Sequence, residues 1–262
     1  MSSSGETPAR VINVHRIDPA NIGDLCSAPA RHLDFLQHAR CLDICALNER
    51  NHGQLDEATV ILGGGGLLGQ AYFDRGIHAL LQARPRRRIC WGAGHNVHGC
   101  QVIGMPGYLD DFDLVGVRDH GQRHEWVPDT SCLHVLFDQP RPIRHDVVLY
   151  EQASFGRSAL QGLPRMSNKE RSFSKVLDFL ASGEVLLTSS YHGAYWGMLL
   201  NRRVILINVF SSKFHGFKHQ PPIATEDGWK SKLSEAQNYP EALAEYRSAN
   251  LHFSERVRDL LS

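Results

Sequence analysis

Short apolar runs alternate with helix-compatible stretches along most of the chain. Strands that are buried on both faces lack polar alternation, so runs of this kind separated by helices predict parallel sheets covered by helices. The fold class that this pattern indicates is α/β, with two Rossmann-like domains and mostly parallel sheets. The first half carries predicted strands at residues 11–14, 41–47, 60–62, 88–91, 114–117 and 125–127, and predicted helices from Pro29 to residue 39 and over residues 72–83.

Pro140 and Pro142 interrupt this alternation within a polar segment. We place a domain boundary there, which gives an N-terminal domain at residues 1–137 and a C-terminal domain at residues 138–262. The second domain repeats the pattern. It carries predicted strands at residues 147–150, 185–187 and 204–209, a helix from residue 173 that ends at Gly183, a helix at residues 194–200 and one or two terminal helices at residues 236–261.

Positive and negative side chains balance, with 28 Lys and Arg against 28 Asp and Glu in 262 residues. A chain with no net charge has no overall field that attracts nucleic acid or an anionic membrane, so any anion must be bound locally. No apolar run reaches the roughly 18 residues of a membrane-spanning helix, and the polar start at residues 1–6 has no signal-peptide core. We therefore expect a cytoplasmic protein without a transmembrane segment.

The six cysteines form no CxxC pair and show no spacing typical of a zinc site. Several stand inside apolar stretches, as Cys90 does between Ile89 and Trp91, so we interpret them as buried reduced thiols. The fifteen histidines are scattered along the chain. No metal site is expected.

A predicted strand-to-helix turn at residues 188–193 brings serine, histidine and glycine side chains together. Backbone N–H groups and the positive end of a helix dipole meet at such a turn, so an anionic group such as phosphate is a natural ligand. His192 would lie beside that anion. In the alternative interpretation, Ser189 or Ser190 only caps the helix and His192 packs in the core.

Four consecutive glycines at residues 63–66 follow another predicted strand. Glycine lets a ligand or a second backbone segment approach closely, although the run matches neither the dinucleotide fingerprint nor the P-loop. A turn without a ligand is the alternative. Because ligands of open α/β sheets bind beyond the carboxyl ends of the strands, we expect this turn, Asp24, Arg118 and His192 to line one cleft between the two domains.

Five short segments form an ordered set: Asn21-x-Gly23-Asp24, the glycine run, Val117-Arg118-Asp119, Pro128-Asp129 and Ser190-Tyr191-His192-Gly193. In that order, over roughly residues 11–210, they resemble the polysaccharide pyruvyl transferase family. The resemblance implies a GT-B-like fold with a cleft between the domains, the N-terminal domain being the acceptor side. It also implies transfer of the enolpyruvyl group of phosphoenolpyruvate onto two hydroxyls of a sugar, with release of phosphate. Phosphoenolpyruvate is then the donor substrate, and no cofactor is expected.

On this resemblance, Arg118 matches the donor-binding arginine and His192 the motif histidine. Histidine suits acid catalysis near neutral pH, so we assign His192 as general acid or phosphate contact, Asp24 as base for the acceptor hydroxyl and Arg118 as donor anchor. The alternatives are Asp24 as a structural turn residue and Arg118 in a surface pair with Asp119 or another carboxylate. Further substrate-binding candidates are Asn21, Gly23, Gly64, Gly65, Ser189, Ser190 and Gly193.

Many members of that family carry an arginine two residues before the motif histidine, where this chain has Ser190. A donor with a carboxylate and a phosphate needs more than one cation. Lys213 and Lys218 are candidates to supply the missing charge, and a solvated loop is the alternative for both.

Two other functions stay open on the sequence. One is a GT-B-type nucleotide-sugar glycosyltransferase, whose turn at residues 188–193 would hold a diphosphate. The other is a non-catalytic protein of polysaccharide assembly that binds an anion or a sugar, an option that Ser190 keeps open. The expected acceptor is a sugar or oligosaccharide, and a lipid-linked acceptor is suggested only by analogy with the family. The sequence leaves open whether the protein forms a homo-oligomer.

Overall fold

The computed structural model describes residues 10–102, 104–156 and 158–261. Over these residues the chain forms two β-sheets, and every pair of neighbouring strands in them is parallel. The predicted α/β class with mostly parallel, Rossmann-like sheets is confirmed. The polar start at residues 1–6 lies outside the described residues.

The first sheet has the strand order β2-β1-β3-β5-β6-β7, and β4 pairs with β5 beside this path. Two α-helices belong to this half, α1 at Ile22–Cys26 and α2 at Asp74–Gln82. The strands are β1 Val11–His15, β2 Arg40–Asp43, β3 Thr59–Leu62, β4 Gly65–Leu68, β5 Arg87–His95, β6 Leu114–Val117 and β7 Glu125–Trp126.

The second sheet has the strand order β12-β11-β10-β8-β9. Its strands are β8 His145–Glu151, β9 Arg165–Ser167, β10 Gly183–Thr188, β11 Arg203–Ile207 and β12 Ile223–Ala224. The helices of this half are α3 at Phe173–Ala181, α4 at Tyr191–Leu199 and α5 at Ala242–Leu261. Within the described ranges, no helix combines the length and the apolar character needed to cross a membrane.

Both sheets reverse their strand order once, beside their first strand. In the first sheet the order runs to one side from β1 to β2 and to the other side from β1 to β3; in the second, β8 has β9 on one side and β10 on the other. In open parallel sheets a crevice forms beyond the carboxyl ends of the strands at such a reversal. The loops after β1, β3, β8 and β10 are therefore the places where the fold itself provides room for a ligand.

Apolar side chains cover both faces of both sheets in four clusters. The terminal helix α5 takes part in two of them. Its start, at Ala242 and Tyr246, packs with α4 and the second sheet, whereas Phe253 and Val257 near its end pack on Trp91 of the first sheet. The chain thus returns to its first half at its end.

The helix predicted from Pro29 is wrong. Two 3-10 turns, Pro29–Arg31 and Asp34–Leu36, stand there instead, with Leu33 extended between them. This break buries both Leu33 and Leu36 against the first sheet.

The strand predicted at residues 41–47 ends early, at Asp43. The Asp43 carboxylate accepts a hydrogen bond from the amide of Cys45 at 3.1 Å, and the chain then turns into a 3-10 helix at Ile44–Ala46. Elsewhere in this half, Asn21 caps α1 by accepting a hydrogen bond from the amide of Gly23 at 3.2 Å. Residues 22–24 therefore lie in a helix, with Asn21 as its N-cap.

Candidate functional site

A cavity of about 170 Å³ lies where the carboxyl ends of the two sheets face each other. Residues that follow β1, β3, β5 and β6 line it from the first sheet, and residues that follow β8, β10 and β11 line it from the second. We call this cavity the cleft. Its polar lining consists of Arg16, Asn21, Asp24, Asn96, His98, Arg118, Gln152, Ser154, Ser190, Tyr191, His192 and Lys213.

The helix α4 begins at the cleft. Ser190 is its N-cap, because its Oγ accepts a hydrogen bond from the amide of Gly193 at 3.3 Å. The amide of Ala194 donates to the carbonyl of Ser190 at 3.0 Å. The amides of Tyr191 and His192 precede this bond and have no partner inside the helix, so the positive end of α4 borders the cleft.

The ring of His192 is oriented by Ser27 and Asp129. Its Nε2 lies 3.0 Å from Ser27 Oγ and 3.4 Å from Asp129 Oδ2. Ser27 Oγ already donates its hydrogen to the carbonyl oxygen of Gly23 at 2.7 Å, so the hydroxyl accepts in its contact with the ring. Nε2 therefore carries a hydrogen, and Nδ1 is the ring nitrogen that makes no hydrogen bond with a described residue.

Asp129 is completely buried beneath His192. Burial by itself raises the pKa of Asp129, but hydrogen bonds from His192 and Ser131 and the charge of His192 bring that pKa well below its ordinary value. Ser131 donates to Oδ1 from its hydroxyl at 2.6 Å and from its amide at 3.0 Å. Asp129 is thus an anion at neutral pH and balances the positive charge that His192 acquires when Nδ1 is protonated.

Arg118 follows β6, and only 2% of its surface is exposed. Its guanidinium carbon lies 4.0 Å from the centroid of the Tyr191 ring, and Nη2 donates to the carbonyl oxygen of His95 at 3.3 Å. Nε makes no hydrogen bond with any described residue. Nε packs against Gly94, where a β-carbon would overlap it, so an anion in the cleft would meet the guanidinium at its Nη atoms.

The glycine run makes room for Arg118 and for the backbone beside His192. A β-carbon on Gly66 would lie 3.2 Å from Arg118 Nη2 and 2.9 Å from Asn96 Cβ. The amide of Gly64 donates to the carbonyl oxygen of Ser27 at 3.2 Å, and a β-carbon there would overlap that oxygen. Gly66 is the member of the run that lines the cleft.

Asp24 and Lys213 line the cleft with unusual proton affinities. Burial raises the pKa of Asp24, while the charges of His192 and Lys213 act in the opposite direction. Burial lowers the pKa of Lys213 to about 7; the charge of Arg118 adds to this effect and that of Asp24 opposes it. Both groups can therefore change protonation state closer to neutral pH than their free side chains do.

Arg16 contributes less charge to the cleft than its place suggests. Its Nη1 lies 2.6 Å from Asp43 Oδ2 and its Nη2 lies 3.5 Å from Asp18 Oδ2. These carboxylates already balance it. Among the described residues, no salt bridge engages Arg118 or Lys213, so these two cations are the ones that an anion entering the cleft would meet.

The predicted site residues fall into three groups. Those that line the cleft are Asn21, Asp24, Arg118, Ser190, His192 and Lys213. Gly23, Gly64, Gly65, Ser189 and Gly193 stand behind its wall, where Ser189 Oγ accepts from the amide of Gln152 at 3.0 Å. Lys218 does not reach the cleft, since it is exposed, pairs with Glu245 and lies 4.6 Å from the Trp126 ring centroid.

Sequence reasoning missed several contributors. Ser27 stands in no motif. Asp129 lies in one of the five segments that resemble the pyruvyl transferase family, but the sequence assigned it no role. Asn96 and Gln152 each follow a strand by one residue, and that position was the available signal.

No group of three or more His, Cys, Asp or Glu side chains has the arrangement of a metal site in residues 10–102, 104–156 and 158–261. All six cysteines are unpaired thiols.

No protein-family model and no curated protein sequence matches this chain. Among solved structures, the chain is similar to a functionally uncharacterized protein from Klebsiella pneumoniae subsp. pneumoniae NTUH-K2044, with a TM-score of 0.49 and 16% sequence identity. The alignment covers 83% of this chain and 92% of that protein. A function for the cleft has to come from its own residues.

Proposed function

We propose that this protein is a pyruvyl (ketal) transferase, which moves the enolpyruvyl group of phosphoenolpyruvate onto two hydroxyls of a sugar in a polysaccharide or its lipid-linked precursor. The observation that carries the proposal is the arrangement around His192. A histidine with a hydrogen fixed on Nε2, backed by the buried Asp129, shares one cavity with the cations Arg118 and Lys213. Such a cavity suits proton transfer to an anionic substrate.

The donor carries two anionic groups, and the cleft offers a partner for each. Arg118 has a fixed charge and lines the cleft, and a planar guanidinium matches a carboxylate or phosphate in two hydrogen bonds. Lys213 and the first-turn amides of α4 offer further donors to a phosphate. Although Ser190 stands where many family members have an arginine, the cleft still contains two cations, Arg118 and Lys213.

The reaction needs one proton at C3 of the donor and one new bond from each sugar hydroxyl to C2. Protonation of C3 opens the C2=C3 double bond, and the first hydroxyl oxygen bonds to C2 as its proton leaves. The second hydroxyl oxygen then replaces phosphate at C2, and phosphate departs with the electrons of the C–O bond. Of the two hydroxyl protons, one is balanced by the proton on C3 and the other leaves with phosphate.

The side chains of the cleft fit these steps. His192, protonated on Nδ1, supplies the proton to C3, and Asp129 balances the charge of its imidazolium. Asp24 takes the proton from the sugar hydroxyl. Because burial raises its pKa, Asp24 is a stronger base than a free aspartate. Arg118 and Lys213 offset the charge that develops on the departing phosphate.

Calorimetric titration with phosphoenolpyruvate, set beside uridine and guanosine diphosphates, tests the proposal. We expect wild-type protein to bind phosphoenolpyruvate, and Lys213→Met and Arg118→Lys to weaken binding at least tenfold. Lys218→Met is the matched control, because it removes a lysine of the same loop that lies outside the cleft.

Each contrary result points to a different function. Binding of the nucleotides without phosphoenolpyruvate indicates a glycosyltransferase and overturns the proposal. Tight binding of phosphoenolpyruvate with no phosphate release in the presence of any sugar acceptor indicates a binding protein. Thermal melting of every variant separates loss of binding from loss of fold.

A further inference from the structure

A second cavity, of about 530 Å³, opens beside the cleft. It lies beyond the carboxyl ends of β11 and β12, and the loop after β5 closes it from the first sheet. Phe210 lines both cavities, so the two are neighbours that share one wall. The volume falls in the range of small-molecule sites.

The walls of this cavity carry polar groups but no side chain with a fixed charge. Gln101, Asn208, Ser211, His215 and Thr225 supply amide, hydroxyl and imidazole groups. The neighbouring cleft, in contrast, holds Arg118 and Lys213. Charge thus divides the two cavities, since an anion belongs in the cleft and a neutral polar molecule fits the second cavity.

Two polar atoms in these walls have no partner. Ser211 Oγ and His215 Nε2 are buried and make no hydrogen bond with any described residue. Ser211 is only 2% exposed as a whole. A buried polar atom without a partner is destabilising, so a ligand hydroxyl that reached Ser211 Oγ or His215 Nε2 would relieve that cost.

Backbone hydrogen bonds hold the shared wall in place across the two halves of the molecule. The amide of Gly99 donates to the carbonyl oxygen of Phe210 at 2.9 Å, and the amide of Ser212 donates to the carbonyl oxygen of Val97 at 3.0 Å. Ser212 Oγ also lies 2.7 Å from His95 Nδ1. The cavity is therefore built from both halves, but mostly from the second, whereas the resemblance implied an acceptor site in the N-terminal domain.

We propose that the second cavity binds the neutral pyranose ring of the acceptor, with its hydroxyls directed past Phe210 toward the cleft. This assignment rests on the proposed function for its role in catalysis. It follows from the division of charge, from the unpaired Ser211 and His215 atoms and from the shared aromatic wall. The hydroxyls of a sugar ring can form hydrogen bonds with the polar groups of these walls. The aromatic side chain of Phe210 can make the apolar contact with the face of the ring.

Saturation-transfer NMR with methyl glycosides of glucose, galactose and mannose measures this binding without any turnover. We expect at least one glycoside to bind, Ala224→Phe to weaken it at least tenfold by filling the cavity, and Ser211→Ala to weaken it about fivefold. Phosphoenolpyruvate affinity should stay within twofold in both variants. Ala244→Phe adds the same bulk at an exposed position of α5 and is the matched control.

Cys100 gives an independent reading of the same site, because it lines the cavity and is a partly accessible thiol. Its alkylation by iodoacetamide, followed by peptide mass spectrometry, should slow when the bound glycoside is present. Cys45, an exposed thiol of the first half, should react at an unchanged rate.

The outcomes distinguish this proposal from the function on which it rests. Absence of binding by all three glycosides, binding that Ala224→Phe leaves unchanged, or binding of uridine or guanosine in their place overturns the pyranose site. If phosphoenolpyruvate fails to bind while glycoside binding is lost in Ala224→Phe, the sugar site stands and pyruvyl transfer falls.

Discussion

At the scale of single residues, one hydroxyl decides which nitrogen of His192 is available. The hydroxyl of Ser27 donates its hydrogen to the carbonyl oxygen of Gly23. Its oxygen can therefore only accept a hydrogen bond from His192 Nε2. Asp129, the second partner of Nε2, is an anion because its hydrogen bonds outweigh the effect of burial. The proton-transfer role that we propose for His192 therefore depends on two side chains that need not touch the substrate.

Replacing Asp129 with asparagine keeps the shape of this support and removes its charge. We expect Asp129→Asn to lower the rate of phosphate release about 10²- to 10⁴-fold, while the affinity for phosphoenolpyruvate changes less than threefold. Asp138→Asn removes an exposed carboxylate that is paired with Arg247 and should leave the rate unchanged. A rate for Asp129→Asn within twofold of wild type, in folded protein, would contradict the role of this pair.

If the cleft binds phosphoenolpyruvate as proposed, Lys213 makes that binding depend on pH. Its pKa of about 7 means that it is charged below pH 7 and loses its charge as the pH rises through this value. The second ionisation of a phosphate monoester is complete above about pH 7, so between pH 7 and 9 the donor's charge stays constant. We expect the dissociation constant of phosphoenolpyruvate, measured by calorimetry, to rise severalfold over that window.

Lys213→Arg provides the control for this pH dependence, because a guanidinium stays charged throughout the range. Its dissociation constant should be nearly flat between pH 7 and 9. A wild-type curve that is equally flat would show that Lys213 is not the titrating contact.

The sequence predicted those cleft residues whose position is set locally. Arg118 directly follows β6, and His192 lies at the start of a helix that directly follows β10, so strand prediction alone brought them to the same edge. Ser27 and Asp129 could not be found this way. Their contacts with His192 join residues far apart in the chain, and nothing in the local pattern specifies them.

At the scale of elements, the short helix α1 packs directly against the start of α4. Gly23 is the contact point, because a β-carbon there would overlap Nδ1 of the His192 ring. The amide of Ile22 also donates to the carbonyl oxygen of Asn168 in the second half, at 3.3 Å. The wall of the cleft at α1 is therefore held by contacts from both halves.

Gly23→Ala separates activity from stability. Alanine is more favourable than glycine in a helix by roughly 0.5–1 kcal/mol, which partly offsets the loss of stability caused by the clash. The added methyl group must nevertheless displace the His192 ring. We expect phosphate release to fall at least tenfold while the melting temperature drops by only a few degrees. In Gly53→Ala, where the methyl group would meet only Asp56 Oδ2 at 3.7 Å, both values should stay close to wild type.

Element prediction failed where side chains override the local pattern. The helix pattern from Pro29 was genuine in its spacing of Leu33 and Leu36, yet both side chains reach the core through two 3-10 turns. The amide of Ala30 donates to Asn13 Oδ1 at 3.2 Å, which ties this segment to β1. Burial and a long-range hydrogen bond thus outweighed helical periodicity.

At the scale of the whole molecule, the two sheets are separate in sequence but not in packing. The proline-marked break at residue 138 divides the strands of the first sheet from those of the second. Yet α5 returns to the first sheet, where Asn250 accepts from Trp91 Nε1 at 2.9 Å and donates to the carbonyl oxygen of Pro128 at 3.1 Å. Phe253 and Val257 then cover the face of that sheet around Trp91.

This packing predicts that the N-terminal half cannot fold alone. Residues 1–137 without α5 would expose the apolar face around Trp91, and removal of one buried phenylalanine already costs about 3–5 kcal/mol of a typical 5–15 kcal/mol stability. We expect the isolated fragment to lack a cooperative thermal transition. Mixed with a fragment of residues 138–262, it should recover one, together with the fluorescence of a buried Trp91.

Point substitutions on α5 test the same dependence in the intact chain. Phe253→Ala should lower the free energy of unfolding by about 3–5 kcal/mol, because its ring is fully buried and lies 5.1 Å from that of Trp91. Leu251→Ala, on the same helix and half exposed, should cost well under 1 kcal/mol.

If the fragment of residues 1–137 melts cooperatively by itself, α5 is an accessory to the first sheet, and the boundary at residue 138 separates two independent folding units. If it does not, the last turns of the chain are needed to fold the first sheet, which provides one wall of the cleft.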